Sequence, residues 1–321
     1  MQPVQIIGGK MKRIISVFLI AVFTALIFCS CTGGAKKSDT LSIVCTTFPQ
    51  YDYLKNIIGS EDNLTLLVDN GGDLHSFEPT AKDIISISSA DLFVYVGGNS
   101  DKWVEGALKS AENPNLREIA LIDLVDTFEE EYVAGMEVDH DHGEHRAPDE
   151  HVWLSLKNAV KITQALCDAV CEIDTENSVV YKTNAENYIA KLSKLDEEYS
   201  DTVNSAARKT LMFADRFPFR YLVEDYGLTY YAAFAGCSSE SEASFQTMAF
   251  LIDKTKELSL PVVLTIDGSD GSIAKTVCEE SGAKSAELNS CQSVSAEDIA
   301  NGTSYLGIMK NNLEVLREAL N

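Results

Sequence analysis

Residues 176–207 read ENSVVYKTNAENYIAKLSKLDEEYSDTVNSAA. Apolar side chains recur at nearly every third or fourth position, which is the period of one face of a helix: Tyr181, Ala185, Tyr188, Leu192, Leu195 and Tyr199. A helix of about 30 residues is about 45 Å long, since each residue adds about 1.5 Å. This exceeds the usual length of a globular helix and predicts a connector that crosses from one lobe of the protein to another.

Short apolar segments alternate with helical patterns on both sides of this helix, and this alternation predicts parallel sheets. Strands are expected at 41–47, 63–69, 92–96, 211–214, 228–234 and 261–266. The predicted fold is therefore α/β, with two parallel-sheet lobes joined by a long helix. The predicted domains are an amino-terminal lobe at 41–155, a helical connector at 156–207 and a carboxy-terminal lobe at 208–321. Ligands of such folds bind at the carboxyl ends of strands and between lobes.

The beginning of the chain has the pattern of a bacterial secretory leader. An apolar run at 14–28 follows three cations, Lys10, Lys12 and Arg13. A small residue precedes Cys31, which predicts a signal peptide over 1–30 and a lipid attached to Cys31. A transmembrane anchor is the alternative, although the run is short for a span of about 20 residues. Met11 is a second candidate start beside Met1, because the positive region follows it directly.

The chain is strongly acidic, with a formal net charge of -23. Removal of the leader with its three cations would take this charge to about -26. Such a surface repels nucleic acid, so a nucleic-acid partner is not expected. It attracts cations. Acidity that serves only solubility is an equally compatible interpretation.

All five histidines lie between positions 75 and 151. His75 and His151 stand alone, and the other three are crowded among acids: His140, His142 and His145. Neutral imidazole is the commonest metal ligand in proteins, so this distribution predicts divalent-metal chemistry. Residues 127–150 have no apolar period and are expected to form an exposed mobile loop. That loop is expected to collect or sense metal, or to be only a solvated charged segment.

The two lone histidines lie where a site between lobes would form. His75 follows the second predicted strand and His151 precedes the first connector helix. Zinc is usually bound by four nitrogen, sulfur or oxygen atoms in a tetrahedron. Two imidazoles and one or two carboxylates from the second lobe would complete such a shell. Each histidine taken alone is equally typical of a polar or capping role.

Six cysteines lie outside the leader, and no Cys-x-x-Cys spacing occurs among them. A thiolate zinc site therefore has no support from spacing. Exported proteins hold disulfides, and Cys237 and Cys291 both lie in loop-like contexts, which makes them the candidate pair. Cys167 and Cys171 are four residues apart on a helix, which is typical of packing.

Six segments together form a specific pattern: TTFP at 46–49, HSFEPT at 75–80, DEHVWLS at 149–155, DRFPFRY at 215–221, YGL at 226–228 and ESGAK at 280–284. The chain thereby resembles the metal-binding lipoproteins of zinc and manganese ABC importers, the TroA-like group of solute-binding proteins. The resemblance runs from about Leu41 to the end. It implies the class III periplasmic-binding fold, in which a rigid helix joins two α/β lobes and the metal lies between them.

The resemblance also implies a ligand set. His75 and His151 match the first two ligands of the family. The third ligand is usually His or Glu, and Asp215 is the nearest candidate here, with alanine at the matching histidine position. The fourth ligand is an acid, for which Asp267 and Asp270 are alternatives. Glu78 or nearby carboxylates are expected to orient the imidazoles.

The implied function is that of a lipid-anchored extracytoplasmic receptor on a bacterial membrane. It would capture a divalent metal and hand it to an ABC permease and its ATPase, as a monomer and without catalysing a reaction. Zinc is the preferred metal, because it outcompetes manganese at most nitrogen-oxygen sites, whereas a shell with two carboxylates also suits manganese. The rivals are a secreted zinc hydrolase, for which no His-Glu-x-x-His or nucleophile motif exists, and a surface adhesin.

Overall fold

The computed structural model describes residues 41–69, 72–137, 147–238, 242–292 and 294–321. Leu41–Asn321 forms one compact unit. Outside the described residues lie the predicted signal peptide, the predicted lipidation site Cys31 and the clustered histidines His140, His142 and His145. No helix within the described ranges is both long and apolar enough to cross a membrane.

The first lobe is a four-stranded parallel sheet with helices between its strands. Its elements are β1 (Ile43–Cys45), α1 (Phe48–Ile58), β2 (Leu64–Leu66), α2 (Ala81–Ser89), β3 (Leu92–Tyr95), α3 (Val104–Leu108) and β4 (Arg117–Ala120). The strand order is β2-β1-β3-β4, with Val44 paired to Thr65 on one side and to Phe93 on the other. The central strands are apolar because both of their faces are covered.

Two helices follow, α4 (Leu156–Ile173) and α5 (Ser178–Ser205). The predicted long helix is confirmed: α5 has 28 residues, which makes it about 42 Å long. Its buried face contacts both lobes. The Tyr188 hydroxyl donates to Asp52 of α1 at 2.8 Å, and the Tyr199 hydroxyl donates to the Met309 carbonyl at 2.6 Å.

The second lobe repeats the arrangement of the first. Its elements are β5 (Thr210–Phe217), α6 (Arg220–Tyr226), β6 (Thr229–Ala235), α7 (Phe245–Glu257), β7 (Val262–Thr265), α8 (Ser272–Ser281), β8 (Lys284–Glu287), α9 (Ala296–Ala300) and α10 (Tyr305–Ala319). The parallel strands take the order β6-β5-β7-β8. In both lobes the order reverses at the first strand, and the loops beside such a reversal are where α/β sheets bind ligands. The predicted fold class is confirmed, while the boundaries after 155 and 207 remain predictions.

Two edge strands, β4 and β8, have no counterpart among the predicted strands. Their sequences are REIA and KSAE, with charged residues where central strands carry apolar ones. Edge strands carry such side chains because one side faces solvent. Apolar runs therefore locate the inner strands and the apolar edge strands β2 and β6, and miss the two edge strands that carry charged residues.

The segment 127–150 differs from the expected exposed loop at its described ends. Glu130, Met136, Asp149 and Glu150 are buried. The Glu130 amide donates to the Ala147 carbonyl at 3.1 Å, which joins the two ends of the segment. The expectation was wrong for these residues, because their side chains lie in the protein interior and are not exposed to solvent.

Candidate metal centre

His75 lies on a single 3-10 turn, Leu74–Ser76, in the loop that follows β2. Asp73 caps this turn, since its carboxylate accepts the His75 amide at 2.9 Å. The same carboxylate also contacts the second lobe. It accepts the Arg216 guanidinium at 2.8 Å and the Gln292 amide group at 3.1 Å. Burial opposes the charge of Asp73, but these partners hold its pKa down at about 2.

The His75 ring is held from behind through its Nδ1 atom. Nδ1 lies 2.8 Å from the Ser100 hydroxyl and 3.7 Å from the Glu150 carboxylate. Glu150 accepts the Ser100 hydroxyl and the amides of Asn99 and Ser100. Gly98 makes room for this carboxylate: its φ is +84°, and a Cβ there would lie 2.5 Å from a Glu150 oxygen. The backbone after β3 therefore fixes Glu150, and Glu150 with Ser100 fixes His75.

His151 is held in the same manner by Asp149. One Asp149 oxygen accepts the His151 amide at 2.9 Å and lies 3.1 Å from its Nδ1. Both side chains are buried. The segment is anchored to the second lobe as well: the Trp153 indole donates to the Ser290 carbonyl at 2.8 Å, and the Tyr221 hydroxyl donates to the Asp149 carbonyl at 2.7 Å.

The two imidazoles therefore direct their remaining nitrogens at each other. Nε2 of His75 lies 3.2 Å from Nε2 of His151. Two nitrogens bound to one tetrahedral zinc ion at about 2.0–2.1 Å would lie about 3.3 Å apart. The pair is thus already spaced as two ligands of one ion. Outer partners such as Asp149 and Glu150 are the usual means of fixing the orientation of metal-binding histidines.

The two imidazole rings do not both carry a positive charge. Burial, followed by the nearby His151, lowers the pKa of His75 to about 3, so its ring is neutral. Burial also opposes the charged form of His151, but Asp149, with Glu150 and Glu130, outweighs it and raises the pKa of His151. Neutral His75 is therefore ready to act as a ligand, whereas a metal ion that binds Nε2 of His151 competes with a proton.

A cavity of about 200 Å³ opens beside the two histidines, between the lobes. Its second-lobe wall includes Asp267, Arg216 and Ser290. The Asp267 carboxylate accepts the Ser290 amide at 2.5 Å and the Ser290 hydroxyl at 3.1 Å. Burial raises the pKa of Asp267, and the Ser290 hydrogen bonds oppose that rise. Of the three predicted second-lobe acids, Asp267 is the one that lines this cavity.

The structure does not bring Asp215 or Asp270 to the histidines. Both line a neighbouring cavity of about 500 Å³, which shares Asp73, Arg216 and Gly268 with the histidine cavity. The pairing of β5 with β6 shifts register between Phe213 and Arg216, which marks a bulge. A bulge re-aims the side chains around it, and Arg216 rather than Asp215 lines the histidine cavity. Asp270 is exposed, accepts the Ser272 amide at the start of α8, and has a pKa lowered by that hydrogen bond.

Glu78 was predicted, as an alternative to nearby carboxylates, to orient the imidazoles. Its side chain is exposed. The contacts that orient the imidazoles come from Asp149, Ser100 and Glu150. The Asp-Glu-His spacing at 149–151 was the available signal, because it places two carboxylates directly before a histidine.

Cys237 lies beside the histidines instead of in a disulfide. Both Cys237 and Cys291 are free thiols, so the predicted pair is not formed. The Cys291 side chain is fully buried and contacts the Asn289 carbonyl. Cys237 follows β6, and its sulfur and one ring nitrogen of each of His75 and His151 all lie within 4.8 Å of one another. Burial, then the charges of Asp149, Glu130 and Glu150, raise the pKa of the Cys237 thiol.

Comparison with known proteins identifies the family. The model of the family ZnuA, described as zinc-uptake complex component A, periplasmic, matches residues 43–319. The chain belongs to the ZnuA family. This confirms the resemblance inferred from the sequence. The family is described as a component of a zinc-uptake complex, in agreement with the expected solute-binding role.

The similar proteins match most of the length of this chain. The zinc-binding lipoprotein AdcA of Streptococcus pneumoniae (strain ATCC BAA-255 / R6) is 32% identical over 306 residues, which cover 94% of this chain and 60% of AdcA. The high-affinity zinc uptake system protein ZnuA of Bacillus subtilis (strain 168) is 34% identical over 317 residues, covering 96% of this chain and 98% of that protein. The chain thus spans about 60% of the length of AdcA. The crystal structure of the Zn(II)-bound ZnuA-like domain of S. pneumoniae AdcA matches with a TM-score of 0.72 at 29% identity, covering 88% of this chain and 99% of that domain.

Proposed function

We propose that this protein is an extracytoplasmic receptor that binds one zinc ion between its lobes and delivers it to an ABC permease with its ATPase. The observation that carries the proposal is the histidine pair. Nε2 of His75 and Nε2 of His151 lie 3.2 Å apart, and the other nitrogen of each ring is held by Ser100 or Asp149. This is the geometry of two pre-oriented ligands.

Zinc is favoured over manganese by the chemistry of these donors. Imidazole nitrogen suits zinc, whereas carboxylates and water suit manganese. Only Asp267 of the three predicted acids lines the cavity, so the carboxylate-rich shell that would favour manganese has less support. Membership of a family described as a zinc-uptake component supports the same choice.

The anchoring and the metal-collecting loop complete the proposal. The leader pattern supports a receptor tethered to the bacterial membrane by a lipid on Cys31, and a similar protein is named a lipoprotein. The proposed receptor acts as a monomer. His140, His142 and His145 would gather metal for the centre. These residues lie outside the described part of the chain, so this role rests on the sequence alone.

Calorimetric titration of the mature protein with zinc tests the proposal. We expect one high-affinity site per chain. His75→Ala and His151→Ala should each weaken it about 100-fold or more, beyond the loss that an outer-shell partner causes. Thermal unfolding of the metal-free variants checks that the fold is intact.

His142→Ala is the matched control, because it removes an imidazole from the loop and leaves the two central rings in place. Deletion of 139–145 extends that control. Both changes should leave the single tight site unchanged. Unaltered affinity in both His75→Ala and His151→Ala would reject a zinc centre between the lobes.

A further inference from the structure

We infer that Cys237 is a third ligand of the zinc ion and binds through a thiolate sulfur. The centre would then combine two imidazoles with one sulfur. This inference rests on the proposed zinc binding and specifies the kind of donor that the second lobe supplies. Neither the spacing of the cysteines nor the third ligand expected from the family resemblance pointed to a sulfur donor.

The first argument is distance. Among the described residues, the group of metal-binding side chains with donor atoms within 4.8 Å of one another consists of His75, His151 and Cys237. In a tetrahedral zinc centre with Zn–S at about 2.3 Å and Zn–N at about 2.0–2.1 Å, the sulfur and a nitrogen lie about 3.6 Å apart. A closing movement of about 1 Å would therefore complete three bonds to one ion.

The second argument is the placement of the loop that carries Cys237. Gly236 lies against the histidine: a Cβ at this position would be 2.8 Å from the Phe217 carbonyl oxygen and 3.2 Å from Cε1 of His151. The Cys237 amide donates to the Glu130 carboxylate of the first lobe at 2.8 Å. Because Gly236 has no side chain, the loop can approach His151 closely. The hydrogen bond from the Cys237 amide to Glu130 ties the same loop to the first lobe, and together these contacts hold the thiol near the histidines.

The third argument comes from the topology. β2 and β6 occupy the same place in their respective sheets. His75 lies in the loop after β2, and Cys237 lies in the loop after β6. The two lobes therefore present a metal-binding side chain from equivalent edges, and the ion would bridge them. Asp267 follows β7 and lines the 200 Å³ cavity with both histidines, whereas Cys237 lines a neighbouring cavity with His75.

The chemistry of binding is simple. Zinc forms a bond to the Cys237 sulfur, and the thiol proton leaves to solvent, as it does at other thiolate zinc sites. A soft thiolate favours zinc, while manganese prefers carboxylate and water. The sulfur thus makes the site selective against manganese in a way that the histidines alone do not.

X-ray absorption at the zinc edge tests this without any variant. The mature protein is loaded with one equivalent of zinc under a non-thiol reductant. We expect one sulfur at about 2.3 Å and nitrogen or oxygen neighbours at about 2.0–2.2 Å. A shell of nitrogen and oxygen alone would overturn the thiolate, while zinc binding itself would stand. A protein that takes up no zinc would instead refute the proposed function.

Cobalt substitution gives a second readout. Cobalt-loaded protein should show a thiolate-to-metal charge-transfer band in the near ultraviolet. Cys237→Ser should abolish the band and weaken zinc binding more than about tenfold, with little change in manganese binding. Cys278→Ser is the matched control, since Cys278 is also a partly exposed free thiol and belongs to α8, away from the centre. A band that persists in Cys237→Ser would overturn the inference.

Discussion

The two halves of the metal centre are built differently. In the first lobe, each imidazole is already held by a carboxylate or hydroxyl, and the two free nitrogens face each other at 3.2 Å. In the second lobe, Asp267 is hydrogen-bonded to Ser290, and Arg216 is paired with Asp73. The first lobe is therefore prepared for a metal ion, whereas the Asp267 carboxylate of the second lobe must exchange a hydrogen-bond partner to receive one. Affinity should depend mainly on the first half, and selectivity on the second.

The strongest test of this contrast is Asp149→Asn. The amide keeps the size of Asp149 but removes the charge that holds the Nδ1–H of His151. We expect zinc affinity to fall about 10–100-fold, the range for loss of an outer-shell partner. Calorimetry measures the change. Asp270→Asn, at an exposed carboxylate in the neighbouring cavity, should leave affinity unaltered. If Asp149→Asn binds zinc as tightly as the parent protein, the Asp149 carboxylate is not needed to orient His151.

A smaller effect is expected in the second half. Asp267→Asn should lower zinc affinity by about tenfold, because a neutral amide is a weaker metal ligand than a carboxylate. The loss is limited because Ser290 already donates hydrogen bonds to the Asp267 carboxylate and so competes with the metal ion. Asp215→Asn serves as the comparison and should change affinity less than about twofold, since Asp215 lines the other cavity. Competition titration with a chromophoric chelator compares the two variants. A larger loss in Asp215→Asn would reverse the assignment of the second-lobe acid.

The smallest effect concerns the metal-free protein, in which the two histidines should respond to pH in opposite ways. Because the pKa of His75 is about 3 against an ordinary 6.5, the unfolded chain takes up a proton there that the folded chain refuses. Stability from this group is therefore lost as pH falls from 6.5 towards 3. The raised pKa of His151 acts the other way: its contribution is complete below 6.5 and is lost as pH rises through the raised value.

Melting temperatures measured with a chelator present test this opposition. His75→Gln should flatten the acid side of the profile and His151→Gln the neutral side. The shifts should be a few degrees, at about 2–4 °C per kcal/mol for a chain of this size. If both variants flatten the same side of the profile, the assigned protonation states are wrong.

Much of the fold could be predicted from the sequence because it is written in apolar periods. The long helix, the inner strands and the two-lobe α/β class all follow from runs such as Ile43–Cys45 and the buried face of α5. The two histidines of the site could also be predicted, because each stands alone at a loop position, and the structure places His75 and His151 next to each other. These are features that one segment of chain specifies by itself.

The second-lobe half of the centre could not be predicted in the same way, because it depends on how segments meet. A bulge in β5 turns Asp215 away from the cavity and Arg216 towards it. Cys237 was interpreted as half of a disulfide, since a loop-borne cysteine has no periodic signature. The neighbouring glycine was the one local hint, and its meaning depends on the approach of His151.

One carboxylate has a consequence for unloading. Asp73 caps the turn of His75 and at the same time accepts Arg216 and Gln292 from the opposite lobe. Departure of His75 from the ion and loosening of the two lobes would then be a single event rather than two. A permease that separates the lobes by breaking the contacts of Asp73 with Arg216 and Gln292 would release the metal ion without contacting its ligands.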